Sequence, residues 1–202
     1  MNIINRSLTT GVFPDSLKKA RVTPIPTEGD KCNLNNYRPI SVIPVFSKVF
    51  EKVAYTQLYD YLENNSILHK QQYGFRAKKF ITLAILHFLL YLYKHMDCGN
   101  IVFSLFLDFR KVFDCVNHEI LLSKLNTCGV QGITLDWFRS YLTNREQYVS
   151  INNVDSNPRV IQCGVPQVWR SATCHLIAPH YIQATSAPNL IISSFNLNQF
   201  PI

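Results

Sequence analysis

The apolar and polar positions at the start of the chain predict two short extended segments. Residues 22–25 and 38–43 are brief apolar runs between turn-forming residues, as expected of strands. Pro24 and Pro26 lack the N–H group that a strand ladder needs, so the first strand is predicted at a sheet edge. Upstream of it, residues 15–20 form a candidate helical turn that begins after a proline.

Two helices are predicted next. Apolar residues recur at helical spacing between 46 and 62, after Pro44 and before an Asn-Asn pair, which indicates a long amphipathic helix. Its predicted apolar face consists of Phe46, Val49, Phe50, Val53, Ala54, Leu58 and Leu62. A basic, glycine-containing loop at 71–79 separates it from residues 80–96, which are more apolar and predict a buried helix.

The second half of the chain begins with an apolar run, 101–107, that predicts a buried strand ending on a carboxylate. Helices are predicted at 118–128, where a glycine follows, and at 135–142. Residues 147–151 and 159–163 predict the two strands of a hairpin. Elements in this order predict an α/β (α+β) fold with a central antiparallel sheet and helices packed on one side.

Composition narrows the class of protein. The chain has 202 residues, of which 47% are hydrophobic, so it is long enough for one domain with a sizeable core and is not of disordered type. Its net charge of +7 favours a polyanionic partner through phosphate contacts. The charge alone leaves open a basic domain that has no such partner.

The cysteines and apolar runs exclude several other classes. None of the six cysteines has CxxC spacing, which argues against a structural zinc site and a disulfide framework. Cys174, His175 and His180 form only part of a zinc ligand set. The most apolar run, 80–93, is shorter than the roughly 18 residues of a membrane span. With no signal-peptide pattern at 1–19, an intracellular protein without a membrane partner is expected.

Four motifs, in order, carry a family resemblance. They are NYRPIS at 36–41, QQYGFR at 71–76, LDFRKVFDCVNH at 107–118 and GVPQ at 164–167. Together they resemble the reverse transcriptases of non-LTR (LINE-type, jockey-like) retrotransposons. The resemblance implies RNA-directed DNA synthesis with Mg²⁺, an RNA template, a DNA primer and dNTPs. Nothing in the sequence indicates the oligomeric state.

The resemblance also implies how the chain is divided. The fold would be the fingers and part of the palm of a right-hand polymerase. Residues 21–100 would form the fingers-like subdomain and 101–167 the partial palm. Residues 1–20 would be the tail of an upstream segment, and 168–202 a divergent, loosely ordered segment.

The third motif contains the implied catalytic residues. Asp108 resembles the family's first metal-binding aspartate, and the backbone carbonyl of Phe109 would also contact a metal ion. Phe113 stands where the family carries an aromatic gate that excludes a ribose 2′-hydroxyl; the alternative is a core phenylalanine at a turn. Asp114 would act structurally, at the N-terminus of the helix that follows.

The implied phosphate and template contacts lie in the other motifs. Arg38 and Arg76 are forked donors suited to phosphate, and by resemblance they contact the nucleotide or the template backbone. Lys78 and Lys79 extend the basic loop, although a solvated pair of charges is the alternative. Gln167 begins a loop that lies against the template and the nucleotide base in the family.

After Gln167 the sequence departs from the family. The family continues with Gly-Ser and reaches a Tyr-Ala-Asp-Asp box, which supplies the other metal-binding carboxylates. Residues 168–202 contain neither that box nor any Asp or Glu. A shift of reading frame or mis-splicing is the hypothesis for this segment. Two functions stay open, a reverse transcriptase domain that is inactive as this chain and a nonenzymatic nucleic-acid-binding remnant.

Overall fold

The computed structural model describes residues 2–106, 112–166 and 190–193. The α-helices in these residues are α1 (Asn2–Thr10), α2 (Val45–Asn64), α3 (Ile81–Asp97), α4 (His118–Thr127) and α5 (Ile133–Leu142). The strands are β1 (Lys19–Pro26), β2 (Tyr37–Val42), β3 (Phe103–Phe106), β4 (Glu146–Ile151), β5 (Val154–Asp155), β6 (Arg159–Val160) and β7 (Leu190–Ser193). Short 3₁₀ turns lie at Asp15–Leu17, Leu34–Asn36 and Val112–Asp114.

The central sheet has the strand order β2-β1-β4-β5, with β6 also paired to β4. This confirms the mixed α/β fold class, both short strands and the hairpin of β4 with β6. The prediction of an antiparallel sheet is wrong in one respect, because β1 and β4 are parallel. Four helices separate these two strands along the chain, and such a long connection permits a parallel pair.

The predicted edge position of β1 is wrong, because β1 lies between β2 and β4. Its pairing with β4 stops at Val22, before either proline. Pro24 lies opposite Pro39 in β2, and Pro26 lies two residues further along the same register. A Pro-Pro pair exchanges no N–H hydrogen bonds. The ring nitrogens of both prolines therefore face away from β2, toward the β4 side of β1, where β4 no longer pairs with β1 at these positions. The interior strand thus accommodates its prolines.

Helix α2 confirms the prediction from helical spacing. It begins directly after Pro44, ends at Asn64 and buries Phe50, Ala54, Leu58 and Leu62. Phe46 and Val49 were predicted on the buried face but are exposed. Periodicity defines an apolar stripe, whereas only the part of the stripe that meets other elements becomes buried.

The core lies among α2, α4 and α5. Phe13 is fully buried at its centre, and its ring makes edge contacts with Phe50, Trp137 and Tyr141. Helix α1, which the sequence pattern did not predict, packs on α5, and Trp137 Nε1 donates to Ser7 Oγ at 3.0 Å. The core draws on both predicted subdomains, and the boundary between them stays a prediction.

The predictions that α3 and the 101–107 strand are buried are wrong. Helix α3 has the predicted position, but Ala84 is its one fully buried residue. Its exposed apolar residues are Ile85, Leu86, Leu89, Leu90, Tyr93 and Met96. In β3, Phe103 and Phe106 are exposed, and the strand pairs in parallel with β7. Among the described residues, no helix is long and apolar enough to cross a membrane.

Helix α4 starts at a side-chain cap. Asn117 Oδ1 accepts hydrogen bonds from the backbone N–H groups of Glu119 and Ile120, at 2.9 and 3.1 Å. The N-cap of the helix is therefore Asn117, and Asp114 lies in the 3₁₀ turn before it. The structural role expected of Asp114 stays a prediction. The helix ends before Gly129, whose φ of +90° confirms the predicted stop.

Candidate nucleic-acid interface

One face of the central sheet exposes three cationic side chains. In β1, Ala20 and Val22 are buried, so Lys19 and Arg21 point to the opposite, exposed face. The register places Arg38 of β2 on that same face, because its partner Ile25 lies an even number of residues from Arg21. The face therefore presents three positive charges along adjacent strands.

The β4 side of this face contributes an aromatic ring and one carboxylate. Tyr148 lies beside Arg21 in the register, and Lys19 Nζ is 5.3 Å from the centroid of its ring. Glu146 lies opposite Lys19 and is half-buried. A positive surface with a half-buried ring nearby suits a phosphate backbone carrying stackable bases. We name Lys19, Arg21 and Arg38 the basic face.

The basic loop, residues 71–79, joins α2 to α3 as predicted. Arg76, its central residue, is committed to a carboxylate: Nε and Nη2 donate to Glu63 Oε1 and Oε2 at 2.8 and 2.7 Å. Its Nη1 donates to the backbone oxygen of His69 at 2.8 Å. These hydrogen bonds with Glu63 raise the pKa of the guanidinium. The predicted phosphate role of Arg76 stays a prediction, and it competes with this pairing.

The two lysines of the loop have different surroundings. Lys78 is exposed and has a left-handed φ of +61°. Lys79 is half-buried, with Nζ 5.1 Å from the centroid of the Tyr73 ring. The Tyr73 hydroxyl is hydrogen-bonded to Nδ1 of His87 in α3. Lys78 is therefore the more available of the two for a ligand.

Phe113 brings three sequence motifs together. Its ring is buried and lies edge-on to Phe75 of the second motif, with centroids 6.3 Å apart. Its backbone oxygen accepts from Val165 N at 2.9 Å, and Gly164 N donates to Val116 O at 2.9 Å. The burial favours a core role for Phe113 in this structure, and sugar selection stays a prediction.

Gly164→Ala is expected to destabilise the fold by about 1–3 kcal/mol in chemical unfolding, because of strain at this junction. Its φ is +89°, and an added Cβ would lie 2.9 Å from the backbone oxygen of Asp114. The matched control is Gly74→Ala, since an added Cβ there meets no described atom within 4 Å. That variant is expected to change stability by less than about 0.5 kcal/mol. Equal losses in the two variants would contradict the prediction.

The implied catalytic residues Asp108 and Phe109, and also Gln167, lie outside the described residues. Within the part of the chain that the structure describes, no group of three or more His, Cys, Asp or Glu side chains is arranged to hold a metal ion. These residues do not by themselves provide a magnesium site. The roles of all three residues stay predictions.

Sequence reasoning missed Glu63 and the two cations of β1. A signal for Glu63 was present, because a carboxylate in the last turn of a helix is unfavourable unless a cation or donor compensates it. Lys19 and Arg21 had a weaker signal, their alternation with Ala20 and Val22. Neither residue was predicted to face outward from a strand, because the strand was predicted to begin only at residue 22.

The family of the chain follows from a comparison with known proteins. The sequence model of the family described as reverse transcriptase (RNA-dependent DNA polymerase) matches residues 23–175. The chain therefore belongs to the reverse transcriptase family. The match includes the basic loop and part of the basic face, and it extends past Gln167, where the motif pattern was expected to end.

Several curated relatives come from mobile elements of Drosophila melanogaster. The chain is 30% identical over 169 residues to the probable RNA-directed DNA polymerase from transposon BS, covering 82% of this chain and 18% of that protein. It is 28% identical over 166 residues to the RNA-directed DNA polymerase from mobile element jockey, with the same two coverages. The probable enzyme from transposon X-element is 34% identical over 136 residues, covering 65% of this chain and 14% of the relative.

These matches confirm the resemblance to jockey-like retrotransposon reverse transcriptases. The chain spans 18% of the length of the first two relatives. RNA-directed DNA polymerase activity, which their names state, belongs to those much longer proteins.

Proposed function

We propose that this chain is the template-binding part of a reverse transcriptase domain and binds single-stranded RNA through its basic face and basic loop. The observation that carries the proposal is the alignment of three exposed cations on one sheet face, in a chain whose family copies RNA. Lys78 would add a fourth contact from the loop. RNA is the favoured ligand because the family is described as RNA-dependent.

Charge and exposure support this binding. The net charge of +7 attracts a polyanion, and each phosphate neutralised by a cation releases counterions from the RNA. Exposed rings, Phe75 and Phe80, lie at the middle and just past the end of the basic loop, where unpaired bases can stack on them. Binding of this kind depends on salt and little on sequence.

DNA synthesis by these 202 residues alone is not part of the proposal. Two metal ions in nucleotidyl transfer need several carboxylate ligands in a fixed frame. Asp108 with the carbonyl of Phe109 would supply the first of these, and residues 168–202 contain no Asp or Glu. In a polymerase that completes the site, Mg²⁺, dNTPs and a DNA primer would join the RNA, with Phe113 selecting the sugar and Gln167 near the template.

The double substitution Arg38→Ala with Lys78→Ala is expected to weaken RNA binding and flatten its salt dependence. Each lost phosphate contact lowers the slope of log K against log salt by about 0.7 for a single strand. The double variant should therefore lose a slope of about 1.4. Fluorescence anisotropy with a labelled RNA of about 20 nucleotides, at several KCl concentrations, measures this slope.

The control for this experiment is Arg6→Ala. Arg6 is an exposed cation on α1, which packs on α5 and takes no part in the sheet. This variant removes one charge, against two in the double variant, yet it should leave the slope unchanged. A loss of slope of about 0.7 in Arg6→Ala, half that of the double variant, would mean that net charge alone explains binding. The absence of salt-dependent binding by the wild-type chain would reject the proposal in favour of an inert protein.

Primer extension separates binding from enzymatic activity. The same protein, given Mg²⁺, dNTPs and a primed RNA template, is expected to bind the template and add no nucleotide. Extension that is abolished in Asp108→Ala would contradict this expectation. It would instead mean that the chain contains a complete catalytic site.

A further inference from the structure

We infer that Glu63 is a positioning residue for the basic loop and that Arg76 serves as its partner inside the protein rather than as a phosphate ligand. The inference rests on the proposed RNA binding and identifies the residue that holds the basic loop in one conformation. Glu63 belongs to none of the sequence motifs, and it lies in the last turn of α2.

The hydrogen bonds of the Arg76 guanidinium within the protein leave it few free donors for an RNA phosphate. Three nitrogen atoms of the guanidinium already donate, two of them to Glu63 and one to the backbone of His69. The Arg76 side chain is 14% exposed, and that of Glu63 is 28% exposed. A phosphate would have to displace a bidentate carboxylate, which is the strong form of such a pair.

A second contact fixes the neighbouring residue. The Tyr59 hydroxyl donates to Glu63 Oε1 at 2.8 Å and accepts from the backbone N–H of Ala77 at 3.0 Å. The loop is thus held at 76 by an ion pair and at 77 by a tyrosine that the same carboxylate orients. Both attachments depend on Glu63 and come directly before Lys78.

The backbone on both sides of residues 76 and 77 has an unfavourable conformation. Phe75 and Lys78, which flank residues 76 and 77, both adopt left-handed φ values, +59° and +61°. Such a conformation is unfavourable for residues other than glycine and persists where the surroundings hold it. Glu63 thereby fixes two groups at once, the exposed ammonium of Lys78 and the ring of Phe75 that packs on Phe113.

Without the Arg76–Glu63 ion pair, the cations of the basic loop would still be present, but the loop would no longer be held in one conformation. RNA binding would then have to order the loop, which lowers the affinity. Glu63→Gln is therefore expected to weaken RNA binding about 3- to 10-fold, even though it removes a negative charge. If Arg76 were itself a phosphate ligand, the same substitution would release it and strengthen binding. The two roles predict opposite signs.

Four further variants make the test specific, all measured by the RNA anisotropy titration. The charge exchange Glu63→Arg with Arg76→Glu keeps the net charge and the possibility of an ion pair. It should restore affinity to within about threefold of the wild type, whereas Arg76→Glu alone should not. Tyr59→Phe, which removes only the hydroxyl, should weaken binding about twofold. Asp60→Asn is the matched control, because it removes an exposed carboxylate from the same helix, outside the basic face and the basic loop, and should not weaken binding.

The outcomes are distinguishable. If the wild-type chain shows no salt-dependent RNA binding, the proposed function fails and this inference fails with it. If the wild type binds RNA and Glu63→Gln binds it equally well or more tightly, the inference alone is overturned. Failure of the charge exchange to restore binding, with thermal unfolding showing that the variant is folded, also overturns it. Weaker binding by Glu63→Gln with recovery in the exchange supports it.

Discussion

Phe13→Ala is expected to destabilise the protein by about 3–5 kcal/mol, the largest effect of any single substitution considered for this chain. The Phe13 ring is fully buried, with centroids 5.7, 5.6 and 5.0 Å from those of Phe50, Trp137 and Tyr141. Its removal leaves a cavity that three rigid rings on two helices cannot easily close. Urea-induced unfolding followed by circular dichroism measures the loss.

Phe46→Ala is the matched control, since it makes the same chemical change at an exposed position. Phe46 lies on α2 and is 73% exposed, although its helical spacing predicted burial. Its replacement should change the free energy of unfolding by less than about 0.5 kcal/mol. A similar loss of stability in both variants would contradict the burial of Phe13 in a core among α2, α4 and α5.

Glu51 is expected to make stability fall as the pH rises. It is a fully buried carboxylate whose Oε1 accepts hydrogen bonds from Tyr141 at 2.6 Å and from Ser47 at 3.4 Å. Burial raises the pKa of Glu51, against the opposing effects of the Tyr141 hydrogen bond and the charge of Arg145. The folded protein therefore holds the Glu51 proton more tightly than the unfolded chain does.

The sign of the pH dependence follows from this difference. The contribution of the neutral carboxyl is complete below the unfolded pKa of about 4.5 and is lost as the pH rises through the raised folded pKa. Glu51→Gln lacks the titration, so its stability relative to the wild type should increase over that window and then level off. Urea unfolding of both proteins at steps from about pH 4 to about pH 8 tests this. A constant difference would contradict it.

Glu51→Ala separates the charge from the hydrogen bonds. It is expected to cost about 3 kcal/mol near about pH 4, because the buried Tyr141 hydroxyl loses its acceptor. Like Glu51→Gln it lacks the titration, so its cost relative to the wild type should shrink as the pH rises, while the difference between the two variants should stay constant. An alanine variant as stable as the glutamine variant would mean that these contacts contribute little.

Local sequence patterns predicted the elements well, for identifiable reasons. Helix α2 follows a proline and repeats apolar residues with the helical period, and α4 ends at a glycine that adopts a positive φ. The strands β1 and β2 are short apolar runs between turns. Each of these signals acts within a few residues, so it can be read without knowledge of the tertiary contacts.

Burial was predicted less well, because it depends on what covers an apolar face. The residues of α3 and the run containing β3 are apolar enough for a core, yet both expose large side chains in this structure. In contrast, α1 is mostly polar and went unpredicted, although Ser7 and the adjoining Phe13 contact the centre of the core. Tertiary contacts decide such cases.

In the candidate site, too, local sequence patterns identified individual residues, whereas their contacts depended on the tertiary structure. The motifs located Arg38, Arg76 and Phe113, the basic loop located Lys78, and the structure adds which of them face outward. The pairing of Arg76 with Glu63 spans 13 residues and depends on how the loop turns back to α2, so no local pattern reveals it. The basic face likewise combines residues of two strands, and it becomes visible only when the register of β1 with β2 is known.

Hydrogen–deuterium exchange of the chain with and without single-stranded RNA tests the central claim most directly, since it locates the binding surface. Binding through the basic face and the basic loop should slow the exchange of backbone amides in two segments, 37–42 and 71–79, with little change in α5. Slower exchange confined to α5 or to the exposed apolar face of α3, or no change at saturating RNA, would contradict binding through these surfaces.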